Sequence, residues 1–124
     1  MKEITNAQED ILKALWKINE GAVSDILNAL PEPKPAYNTV ATVIKVLENK
    51  GYAAHKTYGK THVYYAVVSK KEYGQYVLKH AIKGLFDSSL SQMVSSFVQT
   101  KHVNLQELEE LKNMVEQEIK KQKK

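Results

Sequence analysis

The sequence predicts a mainly α-helical fold with a small β-hairpin, set out as an N-terminal domain over residues 1–70 and a helical region over residues 71–124. Three observations predict it. Between Pro35 and Val68 the apolar pattern changes from a helical period to strand-like composition around a glycine-bearing turn. The pairs Thr5/Gln8, Ser69/Glu72 and Asn104/Glu107 each have capping-box spacing ahead of an amphipathic stretch. The helices over residues 71–124 carry more apolar stripe than they can bury against each other.

Taken in order, Thr5 and Gln8 open a first helix from about Asn6 to Ile18, with Ile11, Leu12, Leu15, Trp16 and Ile18 along it. Asn19-Glu20-Gly21 breaks it. A short second helix follows, with Ser24 or a neighbour near its start and Ile26, Leu27 and Leu30 facing inward. Pro31, Pro33 and Pro35 leave too few amides for helix and predict an extended connector. It delivers the chain to a third helix, beginning near Ala36 and running to Lys50, where Val40, Val43, Ile44 and Leu47 recur at i, i+3, i+4 and i+7. Gly51 ends it. Ala53–Lys56 and His62–Val68 then read as strands flanking the turn Thr57-Tyr58-Gly59-Lys60-Thr61. Leu15, Trp16, Ile26, Val40, Ile44, Leu47 and Tyr65 are the expected core.

Beyond the hairpin, Lys70 to about Phe86 reads as a helix bearing Tyr73, Tyr76, Val77, Ala81 and Leu85. Ser89–Val98 is a further amphipathic stretch. A final helix carries Leu105, Leu108, Leu111, Val115 and Ile119 on one stripe before a lysine-rich end. Leu85, Phe86, Leu90, Met93, Val94, Phe97, Leu108, Leu111 and Val115 are expected to meet a second copy of the chain, a symmetric homodimer being the commonest way to cover such a stripe.

Composition narrows the function. No run is long enough to span a membrane and the N-terminus lacks a secretory pattern, so a cytoplasmic protein without membrane insertion is expected. There is no cysteine, which excludes disulfides and thiolate ligands. His55, His62, His80 and His102 show no metal-ligand spacing, so neither metal nor cofactor is expected. No nucleophile–base pair or phosphate-binding loop is visible, which argues against an enzyme.

The net charge of +4 is unevenly spread. Residues 1–50 hold six lysines against seven acids, residues 51–86 six against one, and residues 87–124 six against six. The positive excess therefore sits in the hairpin and the helix after it. All eighteen basic residues are lysine, so the bidentate arginine contact to guanine is absent. The exposed face of the third helix carries Asn38, Thr39, Ala41, Thr42, Lys45 and Asn49, short groups suited to base edges in a groove. Without arginine, reading should lean on A·T pairs and thymine methyls, with guanine left to lysine.

Three helices followed by a two-stranded wing is the order of a winged helix-turn-helix domain, and particular residues make the likeness narrower. Thr5-x-Ala7-x-x-x-Ile11-Leu12, Leu15-Trp16, AYNTVATVIKVLENKGY, Tyr64-Tyr65 and SKKEY, with GLFDSSLSQMVSSFV and LQELEELKNMV near the end, resemble the penicillinase-repressor (BlaI/MecI/CopY) family of bacterial transcriptional regulators. The resemblance covers nearly the whole chain. It implies a homodimeric repressor of inverted-repeat operator DNA. In one branch it also implies relief when a membrane-bound sensor protease cuts within the dimerisation region; the corresponding bond here joins Ser96 to Phe97, with serine in place of that branch's asparagine. The cysteine-based copper signal of another branch is excluded.

In helix-turn-helix geometry the start of the recognition helix meets bases and its neighbours hold phosphates. Tyr37, Asn38, Thr39, Ala41 and Thr42 are accordingly expected in the groove. Lys45, Lys50, Lys56, Lys60 and His62 are expected along the backbone, with Tyr58 on phosphate or sugar. Asn38 and Thr39 could instead cap the helix, Tyr37 could be core, and a winged helix can also bind protein or RNA.

Overall fold

A computed structural model describes residues 1–124. Helix α1 spans Asn6–Ile18 and opens on a reciprocal cap, the Thr5 hydroxyl accepting from the Gln8 amide at 3.2 Å and the Gln8 side chain accepting from the Thr5 amide at 3.1 Å. Asn19, at φ 70°, turns the chain out of the helix. The next two residues form a strand, β1 (Glu20–Gly21), where sequence reading expected only a break.

Helix α2 covers Val23–Ala29, and the Asp25 carboxylate accepts from the Ala22 amide at its start. The proline connector leads to α3 (Tyr37–Asn49), which ends at Gly51 in the left-handed region, φ 87°. Strands β2 (Ala53–Tyr58) and β3 (Thr61–Ala66) follow. They pair antiparallel from Ala53↔Ala66 to Tyr58↔Thr61, which corrects the five-residue turn to the two residues Gly59-Lys60. Within this turn positive φ is confined to Gly59, the first central residue, as in a type II′ turn. β1 pairs with the other side of β3, giving a three-stranded sheet in the order β1-β3-β2.

The core joins α1, α2, α3 and the root of the sheet through Ile11, Leu12, Leu15, Ile26, Val40, Ile44 and Leu47, with Tyr52, Ala53, Tyr64 and Tyr73. Trp16 packs against it half-buried, its indole N–H donating to the Val68 carbonyl at 2.9 Å. Tyr65 is not a core residue. Strand side chains alternate between faces, and pairing of Gly21 with Tyr64 sets β3 so that Tyr64 points inward, 3% exposed, while Tyr65 lies on the other face.

Helix α4 (Lys70–Leu85) starts on the expected cap, Ser69 Oγ accepting from the Glu72 amide at 3.0 Å. The chain divides into two compact units, Met1–Val77 and Leu78–Lys124, so the first half of α4 belongs to the N-terminal unit. Tyr73 secures it there. Its ring meets Trp16 and Tyr52, and its hydroxyl donates to the Glu9 carboxylate at 2.7 Å.

This bond, with Lys13 alongside, holds the Glu9 carboxyl below its ordinary 4.5, while burial and Glu9 push the Tyr73 phenol upward. A lowered carboxyl contributes stability that is present above its ordinary range and lost as pH falls through its folded value. Tyr73→Phe is therefore expected to flatten the loss of thermal midpoint between neutral and about pH 3.5. Equal losses in the two proteins would show that the bond is not coupled to stability.

In the C-terminal unit, α5 (Leu90–Gln99) begins at Ser89, whose side chain accepts from the Gln92 amide, and α6 (Leu105–Gln122) at Asn104. Asn104 Oδ1 accepts from the Glu107 amide at 2.9 Å. Neither helix has a buried residue in the single chain. Leu85, Leu90, Val94, Phe97, Leu108, Leu111 and Val115 are exposed, and Phe86 and Met93 are partly covered. No helix is long and apolar enough to cross a membrane.

Candidate nucleic-acid interface

The start of α3 is free of side-chain caps. Its N-cap is Ala36, whose carbonyl receives the Thr39 and Val40 amides at 3.1 and 3.2 Å. Asn38 and Thr39 thus lie inside the first turn with exposed side chains, and neither closes the helix. Tyr37 is 53% exposed, which removes it from the core. The Thr42 hydroxyl donates to the Asn38 carbonyl at 2.9 Å. Its proton is used within the helix, which leaves its methyl and its acceptor lone pairs to a ligand.

The 3.6-residue period divides the exposed face of α3 into two stripes. Asn38, Thr39 and Thr42 share a shallow surface with Val43. Tyr37, Ala41 and Lys45 form one wall of a cleft of about 290 Å³ whose opposite wall is Lys60, Thr61, His62 and Tyr64, with Ala22 and Val23 at its side. The cleft therefore brings together residues from the start of α2, from α3 and from the wing. Thr61, Ala22 and Val23 were not foreseen. The sequence alone assigns Thr61 to the turn, and nothing in the spacing of α2 points its first residues toward the wing.

Alternation splits the other wing residues from this group. His62 shares a face with Tyr64, whereas Lys56 stands on the face of Tyr65, its ammonium 5.4 Å from that ring's centroid. Tyr58 lies on the Lys56 face, 59% exposed. Lys60 sits at the tip between the two faces. His62 is held by Thr57 at 3.0 Å and packs against His55 in a tilted arrangement, ring centroids 4.4 Å apart. His55 in turn meets Glu48, the one acid on α3, at 2.6 Å. A carboxylate that would oppose a polyanion is thereby engaged by the root of the wing.

Lys50 is placed otherwise than expected. Its ammonium donates to the Glu3 carbonyl at 2.9 Å and to Gln8 Oε1 at 3.0 Å, bracing the end of α3 against the N-terminal segment. The Tyr52 hydroxyl, donating to the Lys2 carbonyl, supports the same segment. No cluster of three metal-ligating side chains occurs.

Helix α1, strand β1, helices α2 and α3 and a lysine-tipped hairpin, in this order and pairing, define a winged helix-turn-helix protein. The penicillinase repressor family matches residues 4–117, and the chain belongs to that family of transcriptional repressors. It is 24% identical over 114 residues to the methicillin resistance regulatory protein MecI of Staphylococcus aureus (strain N315), covering 91% of this chain and 93% of that one. To the penicillinase repressor of Bacillus licheniformis it is 21% identical over 116 residues, 93% of this chain and 91% of the relative. Among solved structures, a CopR repressor aligns with 55% of this chain and all of its own at 23% identity and a TM-score of 0.46.

Proposed function

We propose that the chain is a cytoplasmic bacterial repressor that binds inverted-repeat operator DNA as a homodimer, with α3 in the major groove and the wing on the sugar–phosphate backbone. One observation carries this reading: the Tyr37, Ala41 and Lys45 stripe of α3 and the lysine-bearing wing tip stand on the two sides of one cleft, and the Asn38, Thr39 and Thr42 stripe lies open on the adjoining surface of the same helix. Asn38 can pair with adenine through two hydrogen bonds, and Ala41 or the Thr42 methyl can meet thymine. Lys45, Lys60 and His62 supply contacts to phosphate, with Lys56 and Tyr58 reaching the backbone from the other face of the wing.

Binding should be measured on duplex DNA from upstream of the protein's own gene, on a shuffled duplex, and on single strands and RNA. A preference for the upstream duplex on the order of 10³ or more is expected. Equal affinity for all four would overturn the reading in favour of a general nucleic-acid or protein-binding module. Asn38→Ala should cost about 1–3 kcal/mol on the operator and relax discrimination at one base pair; an equal loss on matched and mismatched sites would remove it from base reading. Lys60→Ala should weaken binding to every duplex and lower the salt slope by about one. An unchanged slope would take Lys60 off the backbone.

The exposed stripes of α5 and α6 support the dimer. Relief by a sensor protease would act at Ser96–Phe97, which lies within α5 with both residues exposed. A protease binds its substrate extended, so α5 must unwind locally for that bond to be cut.

A further inference from the structure

We infer that Lys34 is a positioning residue for operator reading: it pins the connector that feeds the recognition helix without itself touching DNA. The inference rests on the repressor reading above. A helix ends with four carbonyls that lack intrahelical partners, and the amides of the residues that follow commonly return to them. After α2 this route is closed at three positions, because Pro31, Pro33 and Pro35 have no N–H. Only the Leu30 amide returns, to the Leu27 carbonyl at 3.2 Å.

The missing donors come from one side chain. The Lys34 ammonium donates to the carbonyls of Leu27 at 3.2 Å, Asn28 at 3.0 Å and Leu30 at 2.6 Å. A lysine ammonium has three N–H groups, and all three are matched. Its positive charge also suits the negative end of a helix. The connector is thereby folded back beneath α2, two residues before Ala36, the N-cap of α3.

Because α3 has no side-chain cap of its own, the path of this connector sets where its first turn begins. Tyr37, Asn38 and Thr39, all in that turn, inherit their place from it. A lysine this close to a recognition helix would ordinarily be taken for a phosphate contact. Here its donors are fully engaged, so its influence falls on sequence preference and not on salt dependence.

Lys34→Met keeps the aliphatic stem and removes the donors. Operator affinity is expected to fall about tenfold, the scale of one charge-assisted hydrogen bond, while affinity for shuffled duplex and the salt slope stay unchanged. Hydrogen exchange should quicken at the Thr39 and Val40 amides and stay the same at Lys50 and Tyr52, whose amides bond at the far end of α3. Lys34→Arg should recover part of the loss, since a planar guanidinium cannot aim three N–H groups at converging carbonyls.

An equal loss on both duplexes with a shallower salt slope would show a phosphate contact and overturn the inference. Faster exchange along the whole of α3 would overturn it in favour of general stability, and so would operator affinity equal to that of the unmodified protein. Absence of any operator preference in the unmodified protein is a separate outcome, which overturns the repressor reading itself.

Discussion

Replacing Leu111 by aspartate is expected to turn the proposed dimer into a monomer and to lower operator affinity by about 10²- to 10⁴-fold, the gain that linked binding of two half-sites supplies. Leu111 lies in the middle of the stripe Leu105, Leu108, Leu111, Val115 and Ile119 on α6, every member of which is exposed in the single chain. Phe97 of α5 is 55% exposed and Leu85 of α4 78% exposed, so the C-terminal unit leaves large side chains in water on each of its helices. A second copy would bury them, and a carboxylate among them would lose its hydration without a partner. Sedimentation and operator titration together test this. A variant that remains dimeric at micromolar concentration would move the interface away from α6, and a monomer with undiminished operator affinity would separate assembly from binding.

Ile44→Ala is expected to destabilise the N-terminal unit by about 2–5 kcal/mol, a large share of the 5–15 kcal/mol that typically holds a domain together. Ile44 is fully buried on the face of α3 opposite Asn38 and Thr42, beside Val40 and Leu47. Its removal loosens the helix that carries the proposed base contacts without touching them. The single tryptophan, Trp16, lies against this core and reports its unfolding in urea. A midpoint shift equivalent to less than about 1 kcal/mol would mean that the site collapses around the smaller side chain. At a temperature where the variant is still folded, its operator preference should be intact.

Helices α1, α4 and α6 were legible because each combines two independent signals. Thr5 with Gln8 and Asn104 with Glu107 mark starts, and the apolar stripes mark faces; the structure begins α1 and α6 at those caps. The face of α3 was legible from its apolar stripe alone, since a fixed period assigns each of its residues to one side. The sheet was less so. Two residues, Glu20 and Gly21, are too few to show any period, and their pairing with β3 is a long-range event. The adjacent aromatics Tyr64 and Tyr65 look alike in sequence, and only that pairing decides which is buried. Lys34 was invisible as more than a surface lysine, because its role depends on three carbonyls brought together by the bend of the chain.

The short strand β1 also bears on how the hairpin behaves as a mechanical object. It grips β3 only at Tyr64 and Tyr65, so the root of the hairpin is fixed on both sides while Thr61–Val63 and their partners Lys56–Tyr58 project beyond it. The wing is thus a cantilever, clamped at the core and free at the end that bears Lys60. In the proposed operator complex such a beam would follow local variation in groove width by bending past the clamp, leaving the seating of α3 undisturbed.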